Sequence, residues 1–376
     1  MAPIRVGIIG LSSRTGLYQA GTWCGTAHIP YLLSSPAFRI VAVTGRSTES
    51  AQKAITTHKL PETTKIYRSA EEIAADPDVD LVVITISVDS HFANALAVLR
   101  AGKDIFLEWP FGSSTAEAEE LTQLATAKGI KTMVGLETRP DPILQKVKEI
   151  IADGTAGKII CSTMSVSSSL GPSTTCLEGS LRYMDMSSGG NEYRIYFGHM
   201  IDTFTNTLGD FDSVQAVLKT QFSDVTVYNT KGEVVNPAYK KTTPDHVLVQ
   251  GILTNGAVGS VVMRKPQEAA DGLGVYWLIT GTEGEIEVTV PEGPPMCTAP
   301  PGRKLRVKIG KNEAREIDFQ DTENIVNLEW NHNAHNVARL YDAFANGDTT
   351  RYATFESALK TRRLMDEIVK KANFKY

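Results

Sequence analysis

Three groups of residues in this chain have types and spacings that could do chemistry. The first is Gly7-Ile8-Ile9-Gly10-Leu11-Ser12-Ser13, at the end of an apolar run. Glycines there let the backbone of Gly10, Leu11, Ser12 and Ser13 approach a pyrophosphate, and a following helix N-terminus attracts its charge. Ser12 breaks the strict G-x-G-x-x-G spacing, so the motif alone also fits a tight glycine turn that binds no nucleotide. The second group is Val43-Thr44-Gly45-Arg46-Ser47. At the end of a second strand, NAD sites place an acid on the ribose hydroxyls, and NADP sites tend to place an arginine. No acid is present here, and Arg46 with Ser47 suits a 2′-phosphate. NADP(H) is therefore the expected cofactor and NAD(H) the alternative; without a phosphate, Arg46 is a solvated surface residue. The third group surrounds His199, the best general-acid candidate because histidine titrates near neutral pH. On one helix, Glu192 and Ile195 would share its face, with Tyr196 three residues before it. Tyr196 and Glu192 are the weaker catalytic candidates. Their competing readings are a core tyrosine and a solvated or helix N-terminal carboxylate.

These groups need elements to hold them. Ile4–Ile9, Arg39–Thr44, Asp80–Ile86, Asp104–Leu107 and Lys131–Gly135 read as short buried strands. Between them lie helix patterns at Ala27–Ser34, Thr48–His58 after Ser47, a short helix capped by Ser69, Asp89–Ala101 and Thr115–Lys128. Alternation with short connections predicts an N-terminal Rossmann domain, a doubly wound parallel sheet with its ligand at the strand C-termini. The texture changes near residue 155. A helix over Gly190–Leu208 and strands at Lys158–Ser168, Ser213–Thr220, Asp245–Thr254, Gly259–Arg264, Val275–Gly281, Glu285–Val290 and Leu305–Ile309 predict a large, mostly antiparallel open sheet. Two helices, Glu329–Asn346 and Phe355–Ala372, close the chain, and Pro291–Pro301 reads as a surface loop. The overall class is α/β. The expected division is 1–150 for NAD(P) and 151–376 for substrate and dimerisation, with C-terminal helices packing back on the first domain.

Bulk properties narrow the function. The chain has 376 residues, 42% hydrophobic and 22% charged, with a formal net charge of -5. No basic face is implied, so no nucleic-acid partner is expected. No apolar run reaches the roughly 18 residues of a membrane span, and a strand pattern beginning at Ile4 leaves no room for a signal peptide. Cys24, Cys161, Cys176 and Cys297 lack metal or redox spacing and read as reduced thiols of a cytoplasmic protein. His246 beside Asp245, and His332 with His335, are poorly spaced for a metal, and none is expected.

Several segments together resemble a known family. Ile4–Gly10, Asp80–His91, Gly102–Pro110, Gly135–Pro142 and Gly189–Asp202 occur in the order found in the glucose–fructose oxidoreductase/inositol dehydrogenase/MocA family. Ser87-Val88-Asp89-Ser90-His91, Glu108-Trp109, Phe197-Gly198-His199, Thr243–Gly251 and Asn333–Tyr341 are similar to its fungal galactose-pathway repressor subgroup. The resemblance spans essentially the whole chain. It implies a nicotinamide facing the second domain, a dimer through the open sheet, and sugar, polyol or related carbonyl chemistry. It also points Ile86, Ser87, His91, Glu108 and Trp109 to the cofactor, and Trp109, Arg139 and His199 to the substrate; the competing readings are packing at the domain junction for Trp109, a structural salt bridge for Arg139 and a structural histidine for His199.

The chain departs from the family at two of three key positions. Glu-Lys-Pro reads Glu108-Trp109-Pro110, and the acid of Asp-x-x-x-His is Ile195, so only His199 remains. An indole N–H only donates hydrogen bonds and cannot shuttle a proton. Hydride transfer survives this loss because the cofactor carries it. The expected function is an NADP-dependent oxidoreductase with a non-standard site, acting on a small carbonyl, imine or alkene, in secondary metabolism by one reading. The alternatives are a non-catalytic NAD(P)-binding transcriptional regulator and a redox-neutral enzyme that reduces its cofactor transiently. The expected partners are a small-molecule substrate and a second copy of the chain.

Overall fold

The computed structural model describes residues 2–17, 21–167, 174–319, 325–327 and 329–376. The chain forms two compact units, 1–140 with 323–360, and 141–322 with 361–376. The division falls at Asp141, ahead of the expected position 150, and residues 323–360 count with the first unit.

The first unit is built on six parallel strands: β1 (Ile4–Ile9), β2 (Phe38–Thr44), β3 (Lys65–Tyr67), β4 (Leu81–Ile84), β5 (Asp104–Glu108) and β6 (Thr132–Gly135). Their order is β3-β2-β1-β4-β5-β6, a doubly wound sheet whose direction reverses between β1 and β4. β4 and β6 are buried throughout, as strands covered on both faces must be. The helices are α1 (Ile29–Ser34), α2 (Thr48–Thr57), α3 (Ala70–Ala75), α4 (His91–Arg100) and α5 (Thr115–Lys128). Ser47 and Ser50 form a reciprocal capping box at α2, and Ser69 and Ser114 accept from backbone N–H groups of Glu72 and Glu117. One turn of π-helix, Cys24–His28, runs directly into α1, where an ordinary helix from Ala27 was expected.

The second unit begins with α6 (Pro142–Ala152), capped by Asp141 and primed by Pro142 at its first turn. This helix was passed over in the sequence. β7 (Ile159–Ser167), β8 (Thr175–Leu177), α7 (Leu181–Met184) and α8 (Gly198–Leu208) follow. The remaining strands are β9 (Phe211–Lys219), β10 (Asp224–Tyr228), β11 (Val234–Lys240), β12 (His246–Leu253), β13 (Val258–Arg264), β14 (Leu273–Gly281), β15 (Gly284–Pro291), β16 (Lys304–Ile309) and β17 (Arg315–Glu316). Seven of them join β7 in one eight-stranded sheet, β17-β16-β15-β14-β7-β13-β12-β9, in which only β7 and β13 pair in parallel. A separate sheet, β11-β10-β8, was not foreseen. The main sheet's core includes Phe204 of α8 beside Trp277 of β14, whose indole donates to the Ser162 hydroxyl. Pro291–Pro301 is no simple surface loop, because Met296, Cys297, Thr298 and Ala299 are buried. The chain closes with α9 (Asn333–Asn346) and α10 (Phe355–Lys371).

Candidate functional site

Parallel strands bring the ends of β1, β2, β4 and β5 to one edge of the first unit. After β1, Gly10 has φ +111°, and a Cβ there would lie 2.6 Å from Ile86 Cγ2 and 2.8 Å from the Thr85 carbonyl oxygen. Only glycine fits, and the turn passes close over the end of β4. Leu11 is buried, while Ser12 and Ser13 are partly exposed. The Ser12 carbonyl lies 2.8 Å from Nε2 of His58. After β2, Arg46 is exposed and makes no ion pair among the described residues. The Ser47 hydroxyl oxygen accepts the Ser50 N–H at 3.1 Å, so its first duty is to cap α2. Ile86 is half-buried and Ser87 exposed, at the end of β4.

His91 is fully buried. Its Nδ1 lies 2.8 Å from the Pro110 carbonyl oxygen and its Nε2 3.0 Å from that of Ile86. Both ring nitrogens thus face backbone carbonyls, of which a neutral ring can donate to one, so His91 braces the cofactor edge and leaves no ring nitrogen for a cofactor. Burial lowers its pKa, although both carbonyls and the charges of Glu108 and Asp89 oppose the change.

Glu108, at the end of β5, meets a histidine that sequence reasoning missed. His28 Nε2 lies 2.8 Å from Glu108 Oε1, a close contact bent away from good N–H alignment. His28 Nδ1 lies 2.8 Å from the Tyr341 hydroxyl of α9. With Glu108 ionised, the ring proton faces the carboxylate and Tyr341 donates to Nδ1. A Cβ at residue 135 would lie 2.6 Å from Glu108 Oε2, so Gly135 makes room for the carboxylate. The Cys24 thiol nearby is pushed up to about 12 by burial and by Glu108, against a hydrogen bond with Thr85, and so is an inert thiol. Trp109, joined to Pro110 by a cis peptide, is buried with its ring 6.4 Å from Phe111. Arg139 is buried and donates to the Ser357 hydroxyl at 2.9 Å.

In the second unit, the expected continuous α-helix from Gly190 to Leu208 is interrupted. Asn191 Oδ1 accepts the Arg194 N–H at 2.9 Å and starts the helix; Tyr193–Phe197 then form a π-helical turn before α8. A π turn carries one more residue than an α turn, so the three-, four- and seven-residue spacings no longer define one face. Tyr193 donates to the Met365 carbonyl, and Arg194 pairs with Asp366, fixing this turn against the second half of α10. His199 is buried, with a ring nitrogen within 4.8 Å of Cys297 Sγ. Tyr196 is half-buried; burial pushes its hydroxyl pKa up, as do Glu192, Tyr183 and Cys297. The phenol therefore stays protonated.

Glu192 does stand at the N-terminal end of this helix, as one competing reading has it, but it is not solvated. It is buried and bridges two buried ammoniums, with Oε2 3.0 Å from Lys241 Nζ and Oε1 on Lys265. Asp245 Oδ2 lies 3.8 Å from Lys241, and its carboxylate accepts N–H groups of Gln221 and Phe222 and faces His246 Nδ1 at 2.7 Å. Sequence reasoning missed Lys241 and Lys265, because a lysine just beyond a half-exposed strand reads as solvated. The separate sheet and β13 bring them to Glu192. Cys297 was missed because its stretch read as surface.

The first unit is thus a dinucleotide-type Rossmann domain with a glycine turn that a Cβ would block. Residues 4–136 match the family described as "Oxidoreductase family, NAD-binding Rossmann fold", and residues 142–290 match "Gal80p, C-terminal domain". The chain is 31% identical to dehydrogenase aclE of Aspergillus oryzae, over 98% of this chain and 96% of that one. It is 28% identical to the galactose/lactose metabolism regulatory protein GAL80 of Saccharomyces cerevisiae, over 68% of this chain and 59% of that one. The solved transcriptional regulator Gal80p of Kluyveromyces lactis shares the fold, with TM-score 0.83 and 24% identity over 99% of this chain and 92% of that one. Apo levoglucosan dehydrogenase does so at TM-score 0.78 and 21% identity, covering 99% and 97%. The chain belongs to this oxidoreductase family and carries a Gal80p-type C-terminal domain. Among the described residues no helix is long and apolar enough to cross a membrane.

Proposed function

We propose that the protein is an NADP-dependent oxidoreductase acting on a small carbonyl, imine or alkene through a non-standard site. The observation that carries this reading is the end-to-end relation to a dehydrogenase, joined to a glycine turn with no room for a side chain. The bound cofactor would supply the hydride. Backbone N–H groups from Gly10 to Ser13 suit its pyrophosphate, and Arg46 beside the N-terminus of α2 suits a 2′-phosphate. Glu108, held by His28, is an acceptor for a ribose hydroxyl. Trp109 offers an apolar wall where a proton-carrying lysine would make a polar one, and Arg139 is a candidate substrate contact. On the second unit, His199 is the group able to give or take a proton near neutral pH. Tyr196 stays protonated and is an alternative donor.

The outer face of the second unit supports a homodimer. Paired rows Val217–Leu248–Val262–Ser165–Tyr276, Gln215–Gln250–Ser260–Thr163–Leu278 and Ser213–Ile252–Val258–Cys161–Thr280 cross five strands without a charge. Val217, Leu248, Ile252, Val258 and Ile160 are exposed there. Such a flat, uncharged face is characteristic of an interface.

The test is NADPH consumption with a panel of carbonyl and imine compounds, in the native protein and in His199→Ala. A fall of 10²-fold or more is expected in the variant; unchanged turnover would remove His199 from the mechanism. A second reading, a nucleotide-binding regulator, is favoured by the match of residues 142–290 to the Gal80p C-terminal domain. It predicts NADP-dependent capture of a transcriptional activator and no turnover. A redox-neutral enzyme would instead turn over without net change in nicotinamide absorbance.

A further inference from the structure

In a dinucleotide-binding turn of the usual kind, the helix after the first strand begins at the glycines and fixes their backbone. Here the first helical turn among the described residues begins at Cys24, too far along the chain to hold Gly10–Ser13 in that way. A histidine from another element takes its place. His58 closes α2: its N–H donates to the Ala54 carbonyl at 3.0 Å, Lys59 follows at φ +55°, and the Leu60 N–H turns back to the Ile55 carbonyl at 3.0 Å. Ala51, Ala54, Ile55 and Leu60 are buried, so this helix end is fixed in the core. The imidazole then lies between two separate points of the chain. Its Nε2 is 2.8 Å from the Ser12 carbonyl oxygen, and since a carbonyl only accepts, Nε2 carries the proton. Its Cε1 would lie 2.4 Å from a Cβ on Gly25, so the ring packs directly on the backbone of the π-helical turn.

The bond at Ser12 decides where the next N–H points. The carbonyl and N–H of one trans peptide are antiparallel, so with the Ser12 carbonyl turned to His58 the Ser13 N–H is aimed away from it. Among the described residues, the N–H groups of Leu11, Ser12 and Ser13 donate to no protein acceptor, while the Ser12 hydroxyl already accepts the Arg14 N–H at 3.1 Å. Three unspent backbone donors on one turn suit an anion. We propose that His58 is a positioning residue of the cofactor site. It couples the glycine turn to the π-helical turn across the intervening loop, and so presents these N–H groups to the diphosphate of a dinucleotide. This rests on the nucleotide-binding part of the reading above and not on catalysis.

The test is calorimetric titration of the full-length protein with NADPH, with ADP-ribose, and with adenosine 2′-monophosphate, which carries no diphosphate. His58→Ala should weaken NADPH and ADP-ribose alike, on the order of tenfold, and leave adenosine 2′-monophosphate within about twofold. His58→Gln, whose amide N–H can reach the same carbonyl, should recover most of that loss. Gly25→Ala, whose methyl displaces the ring, should behave like His58→Ala and carries the test if that variant does not fold. Unchanged NADPH and ADP-ribose affinities in both variants, or an equal loss for adenosine 2′-monophosphate, would overturn the positioning role and leave the oxidoreductase reading standing. His58-dependent binding of ADP-ribose without binding of NADPH keeps the role and sinks that reading. A native protein that binds none of the three sinks both.

Discussion

Nδ1 of His28 and the hydroxyl oxygen of Tyr341 lie 2.8 Å apart in the core of the Rossmann unit, although 313 positions separate them in the chain. The other ring nitrogen of His28 reaches Glu108, so a fully buried imidazole joins α9 to the end of β5. His28→Leu leaves a buried hydroxyl and a largely buried carboxylate without this partner. A loss of about 2–4 kcal/mol in urea unfolding is expected, against about 1 kcal/mol for Tyr341→Phe. Equal small losses in both variants would show that the ring does not hold Glu108.

Gly10→Ala should fail for two reasons at once. The residue sits at φ +111°, and its new methyl would meet backbone at the end of β4 that cannot swing aside. We expect a loss on the order of 2 kcal/mol in stability and of NADPH binding by fluorescence titration. Normal binding in the variant would place the nucleotide elsewhere.

His91 makes stability depend on pH. Burial lowers its folded-state pKa below the ordinary value near 6.5, so the unfolded chain binds the proton first as pH falls. The stability it contributes is complete above about pH 6.5 and is lost as pH falls from there toward the lower folded value. Urea unfolding between pH 5 and 8 should show this slope, and His91→Asn should flatten it. An unchanged slope in the variant would assign the dependence to another group.

Leu248→Glu places a charge on β12 of the outer sheet face, opposite Val217 and Val262. Analytical ultracentrifugation should show a dimer for the native chain and a monomer for the variant, with Tm little changed because Leu248 is 45% exposed. A native monomer would remove the dimer.

Local signals carried much of the fold. The apolar runs of β1, β4 and β5 and the serine caps of α2 and α3 were readable because each rests on neighbouring residues. β3 and β8 escaped because three residues are too few to show a period, β10 because its alternation spans only five residues, and β11 because Asn236 and Pro237 interrupt its pattern. α6 carried a readable start, Asp141-Pro142, but it lies where the texture changes from one unit to the next. At the candidate site, Gly10 and Arg46 were legible as part of a known kind of turn. His28, Tyr341, Lys241 and Lys265 were not, because they matter only through partners that folding brings from distant segments. The π turn before α8 also left no pattern, and it undid the helical-face argument for Glu192, Tyr196 and His199.

The most direct measurement is a fluorescence titration of the purified protein with NADPH and with NADH, repeated in Arg46→Ala. The account predicts tight NADPH binding, weaker NADH binding, and a five- to tenfold loss of NADPH affinity alone in the variant, about 1–1.4 kcal/mol. Failure to bind either nucleotide would contradict the oxidoreductase assignment and leave a Rossmann scaffold used for recognition of another protein.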